Sequence, residues 1–150
     1  MSRLSIPSLL AVVAVAALVG CDGTAKGAAL PAEAAGSGNV ECADGAAALP
    51  APTAFPREVP LPPKAVVTGY EERSGGRQIV TAVVPGTFQG TLGFMQKAYP
   101  SAGLELKQGE VEAHDAESNF AGQGLVGRWT LKEISGCHGD TLVTVLAAKG

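Results

Sequence analysis

Every aromatic side chain of this sequence lies at or beyond Phe55; Tyr70, Phe88, Phe94, Tyr99, Phe120 and Trp129 follow it and none precedes it. Most β-branched residues fall in the same stretch. Large apolar side chains supply most of the area a core can bury, so residues 57–150 hold nearly all the material for one. That is a single domain of about 90 residues, small enough for a covalent cross-link to matter. The 20 Gly and 10 Pro among 150 residues exceed ordinary usage and place much of the remainder outside any packed interior. A net charge of −3 argues against a nucleic-acid partner, which calls for a concentrated positive face.

The amino terminus is organised differently. One basic residue, Arg3, precedes an unbroken apolar run at positions 9–19. Eleven residues are too short to span a hydrocarbon core of roughly 30 Å, but they fit the hydrophobic region of a signal peptide. The alternative, a buried core helix, sits poorly at a terminus followed by low-complexity chain. Leu18-Val19-Gly20-Cys21 then resembles the lipobox of bacterial lipoproteins. The resemblance implies that Cys21 takes a diacylglyceryl group and that cleavage before it makes Cys21 the first mature residue. An unmodified Cys21 after ordinary secretory cleavage is the other reading. Asp22 is similar to the inner-membrane retention signal of Gram-negative lipoproteins and is without meaning in a cell with one membrane. Residues 1–20 are thus expected to be a signal peptide. Their loss leaves ten basic against fourteen acidic residues, so acyl chains rather than charge would hold the protein to an anionic leaflet.

Residues 21–56 are dominated by small residues, Gly and Pro, with no apolar period. We expect a flexible linker with a root-mean-square reach of roughly 30 Å. Residues 56–63, Pro-Arg-Glu-Val-Pro-Leu-Pro-Pro, suit an extended polyproline conformation, either as a stiff lead-in to the first strand or as a ligand for another protein's groove.

With Cys21 acylated, Cys42 and Cys137 remain, an even pair in an oxidising compartment, and a disulfide is expected between them. Closing 95 residues would stabilise by roughly 4–5 kcal/mol through lost unfolded-state entropy. The competing reading is a metal site around Cys137-His138-Gly139-Asp140. It lacks the paired ligand spacings of structural zinc, and no CxxC supports a redox motif.

Within the domain, positions 65–70 and 78–84 read as a hairpin around Ser74-Gly75-Gly76. Pro85-Gly86 stops the second strand and Thr87 is a plausible N-cap. Phe88, Leu92, Met95 and Tyr99 then define one helical face, with Pro100 as its stop. Positions 104–111, 116–120, 125–134 and 141–147 read as further strands. The expected architecture is α+β in two layers, one helix packed on an antiparallel sheet of four to six strands in the order ββαβββ, with an optional further strand at the end.

From Gly109 the pattern Gly-Glu-x-Glu-x-His-x-Ala-Glu-x-x-Phe, then Gly127-Arg128-Trp129 and Ser135-Gly136-Cys137, resembles small lipoproteins of high-GC Gram-positive bacteria. The resemblance spans residues 57–147 and carries no activity to transfer.

Glu110, Glu112 and His114 alternate and would project from one face of a strand, with Asp115 and Glu117 nearby. They are candidate cation ligands. The plainer reading pairs these acids with Arg128 and Lys132, which share a face opposite Trp129 and Leu131. No nucleophile elbow, HExxH or P-loop is present, and Ser135 and His138 sit too close together in a turn to read as nucleophile and base. The expectation is no enzyme, no catalytic residue and no cofactor. A lipid-anchored module on the extracytoplasmic face of the cell membrane, meeting an envelope protein partner, is the leading reading. Alternatives are a small-ligand or metal carrier, with a cavity between helix and sheet marked by Gly90 and Gly93, and less readily a hydrolase.

Overall fold

The computed structural model describes residues 40–150. The signal peptide expected at 1–20 and the acylation site Cys21 lie outside the described residues. The elements run β1 (Val66–Arg73), β2 (Arg77–Val84), α1 (Phe88–Ser101), β3 (Glu105–Val111), β4 (Asp115–Gly122), β5 (Leu125–Glu133) and β6 (Thr141–Lys149). The architecture is α+β, with one helix against one antiparallel six-stranded sheet. The optional last strand of the expected ββαβββ order is present, giving ββαββββ.

In space the strands run β1-β2-β6-β5-β4-β3. The β1–β2 hairpin and the β3–β4–β5–β6 meander follow from short connections, since antiparallel neighbours need only a turn between them. The β2–β6 pairing does not. After β2 the chain crosses the sheet through α1 to the far edge, then winds back until β6 meets β2. Only the complementarity of the two buried strand faces specifies that seam.

Period-two alternation divides the sheet into two faces. On the inner face Val80 and Val84 of β2, Val143, Val145 and Ala147 of β6, Trp129 and Leu131 of β5, and Ala116 and Phe120 of β4 are buried in one cluster. The helix contributes Phe88, Leu92, Met95 and Tyr99 to it, packing over β3, β4 and β5. Tyr99 meets the Phe120 ring edge-on at 5.0 Å between centroids.

Both helix ends have a local cause. Thr87 is the N-cap, its hydroxyl accepting a hydrogen bond from the Gly90 amide at 3.1 Å. The C-terminus does not fall at Pro100, which lies within the last turn. There the missing N–H leaves just the Gln96 carbonyl without its i+4 donor, a loss of one bond in the final turn. Instead Gly103, at φ +75°, takes the left-handed position. Its amide donates to the Pro100 carbonyl and the Leu104 amide to the Tyr99 carbonyl, both at 3.0 Å, a Schellman closure.

The packed unit also reaches back into the stretch expected as linker at 21–56. Phe55 is 7% exposed and belongs to the main core, together with Val59. Leu61 and Ala65 pack against the same cluster, so the proline-rich piece covers part of the inner face. The Leu49 amide donates to the Val67 carbonyl of β1 at 2.7 Å. Two isolated apolar residues, Phe55 and Val59, supply the reason; they show no period because the segment is neither helix nor strand.

Candidate functional site

Three regions of the surface combine chemistry with access. The first is a cleft of about 720 Å³ at the N-terminal end of α1, where Thr87, Phe88 and Gln89 face Ala113, His114, Glu133, Ser135 and His138. It gathers both histidines of the chain, which sequence distance had kept apart. His114 Nδ1 is hydrogen-bonded to the Glu133 carboxylate. The His114 ring is 78% exposed, so solvent screens the pair and its energetic worth is small. Glu133 was not among the expected site residues; its place at the β5 terminus, opposite the β3–β4 turn, follows only from the register.

The candidate ligand set Glu110, Glu112 and His114 does not share one face. β3 ends at Val111, and the Glu112 amide donates to the Asp115 carbonyl at 2.8 Å, closing a tight turn. That reversal rotates His114 away from Glu110 and toward β5. Among the described residues, the one group of His, Cys, Asp and Glu with ligand atoms within 4.8 Å of one another is Cys42, Cys137 and Asp140. Glu117 instead pairs with Arg128 across β4 and β5, the plainer arrangement for this acidic strand.

The second region is the outer face of the sheet. Thr81, Thr144 and Thr130 form one rung across β2, β6 and β5, with Glu117 next in line on β4. The adjoining rung runs Ile79, Leu146, Arg128 and Asn119. Most of these side chains are half-buried by their neighbours, and Val126 beyond them is 42% exposed.

The third is a strap. Cys42 and Cys137 are joined by a disulfide, with Cα atoms 5.3 Å apart. It holds residues 42–46 over one end of the outer face, where Cys42, Ala43 and Ala46 pack on Val83, Ile134 and Leu142. Asp140, first read as a metal-ligand candidate, clamps backbone. Its carboxylate accepts from the Ala43 amide at 2.9 Å and from the Gly86 amide at 3.3 Å. It thereby ties the strap and the β2–α1 turn to the β5–β6 loop. A carboxylate placed beside two amides is invisible in sequence because its partners lie 97 and 54 positions away.

The layer between helix and sheet is closed to solvent. Met95, Tyr99, Leu104, Phe120 and Trp129 are at most 1% exposed, and Leu92 only 5%. Gly90 and Gly93 do not open a gap there: Gly90 faces the Thr87 hydroxyl and Gly93 faces open space on the exposed side of α1. No helix among the described residues is long and apolar enough to cross a membrane. The chain matches no family model, no curated protein and no solved structure.

Proposed function

We propose that this chain is a lipid-anchored lipoprotein of the extracytoplasmic membrane face, acting as a non-catalytic module that docks an envelope protein on the outer face of its sheet. The observation that carries the reading is the contrast between the two faces. The inner face is sealed by α1 and by Phe55 and Val59. The outer face presents a threonine rung and the Ile79–Leu146 pair, bordered by Arg128, Lys132 and Glu117. An apolar and hydroxyl centre inside a charged rim is the ordinary composition of a protein–protein contact. The lipobox-like Leu18-Val19-Gly20-Cys21 supports the anchor. With the strap fixed at Cys42, twenty-one peptide units separate anchor from domain, at most about 75 Å of extended chain. The partner surface is therefore one that lies within that distance of the bilayer.

Two measurements test the reading. Cys21→Ala is expected to move the protein out of the membrane fraction and to abolish an acyl mass on the first mature residue; an unchanged fractionation defeats the anchor. A photo-crosslinking residue at Thr144 is expected to give a discrete protein adduct in intact cells, lost with Arg128→Glu. The same residue at Gln96, on the exposed side of α1, gives none. Equal labelling from both positions defeats the outer-face assignment.

A second reading, a small-ligand site, attaches to the cleft, where His114, His138 and Glu133 line an open volume. Its test is the loss of ligand mass from the native protein in His114→Ala, with the outer-face adduct unaffected.

A further inference from the structure

We propose that Cys42, Cys137 and Asp140 form a site for one thiophilic divalent cation, of the zinc and cadmium class, whenever the disulfide is reduced. The inference is independent of the docking face. The two sulfurs, bonded to each other in the disulfide, and an Asp140 carboxylate oxygen lie within 4.8 Å of one another; reduction frees the sulfurs to part to the wider spacing that Zn–S bonds of about 2.3 Å impose. Thiolates select zinc or cadmium over calcium or magnesium.

The grouping does not depend on the sulfur–sulfur bond alone. The Cys137 amide donates to the Ile134 carbonyl at 3.2 Å and the Asp140 amide to the Cys137 carbonyl at 3.1 Å. These bonds hold Cys137 and Asp140 on one turn. In the disulfide-bonded chain the Asp140 carboxylate also accepts from the Ala43 amide, next to Cys42, and the strap packs on Val83, Ile134 and Leu142. Cys137 is 5% exposed while Cys42 and Asp140 are half-buried. One side of the cluster is thus dry and the other open to a water that completes the coordination.

The chemistry balances with a dithiol reductant. Two electrons and two protons convert the Cys42–Cys137 disulfide to two thiols while the reductant becomes its own disulfide. Each thiol then gives its proton to solvent as its sulfur takes the cation. Oxidation requires the cation to leave, so disulfide and metal exclude each other.

Cadmium alone is the probe, added to full-length chain reduced under anaerobic conditions and freed of reductant. The expected result is one equivalent bound with a thiolate-to-cadmium charge-transfer band. The band is missing from the oxidised protein and from Cys42→Ser. Asp140→Asn is expected to keep the band but weaken binding at least tenfold. Trp129 fluorescence follows the fold in each case. If reduction disturbs it, cadmium is expected to restore it. No stoichiometric band, equal affinity in Asp140→Asn, or a disturbed Trp129 signal that cadmium leaves unchanged would each overturn the proposal.

Discussion

At the scale of single residues, the Tyr99 hydroxyl and the Trp129 indole N–H are buried in the core without a hydrogen-bond partner among the described residues. Burial pushes the Tyr99 hydroxyl well above the usual tyrosine range, because an oxyanion there would lose its hydration. The folded chain keeps Tyr99 neutral, whereas the unfolded chain ionises it from about pH 10. Its contribution to stability is therefore complete below that pH and is lost as pH rises through the folded value. We expect the urea midpoint to fall more steeply above about pH 10 in the parent than in Tyr99→Phe. Tyr70, whose hydroxyl donates to Glu72 at 2.7 Å and whose ionisation that bond delays, should ionise without unfolding. A second prediction sets two glycines against each other. A Cβ on Gly127 would stand 2.1 Å from the Leu146 carbonyl oxygen and 2.3 Å from the Phe120 ring. Gly127→Ala should therefore destabilise by about 2–3 kcal/mol. Gly93→Ala, on a helix face with nothing within 4 Å, should stabilise by about 1 kcal/mol. Equilibrium urea unfolding of the pair decides both. Nothing in the sequence around Gly127 or Gly93 announces this difference in sign; it arises from what the opposite strand or the solvent places beside each α-carbon.

At the scale of elements, Thr87→Ala should cost about 1 kcal/mol in the same assay by freeing the Gly90 amide. The cap was readable because Pro85-Gly86 ends a strand immediately before an apolar face of period 3.6. The strands β4, β5 and β6 were readable for a similar reason, their buried residues alternating along the chain. Where local rules failed, a second local rule had prevailed. Pro100 reads as a stop, yet Gly103 three residues later offers the left-handed conformation that closes a helix end at no steric cost. Glu110, Glu112 and His114 read as one face, yet the chain reverses after Val111. Alternation is a property of extended backbone, and it ends where the extension does.

At the scale of the molecule the disulfide is the longest covalent loop, closing 95 residues. Cys42→Ala with Cys137→Ala should lower stability by roughly 4 kcal/mol by the loop-closure entropy returned to the unfolded chain. Loss of the strap should also expose Val83 and Leu142. Urea unfolding measures the first effect and binding of a hydrophobic dye the second. The cross-link was legible by counting cysteines. The cleft was not, because His114 comes from the β3–β4 turn, Glu133 from the end of β5 and His138 from the β5–β6 loop. Nor was the β2–β6 seam, since two central strands 57 positions apart carry no mutual label in their own residues.

That seam has a consequence for how the molecule comes into being. β6 lies between β2 and β5, yet it is the last of the six strands to leave the ribosome. Until it arrives, a lone hairpin and an unfinished meander have no common boundary, and the main core cannot close. A chain that still lacks its sixth strand is thus expected to hold its hairpin and its meander as two pieces that share no edge.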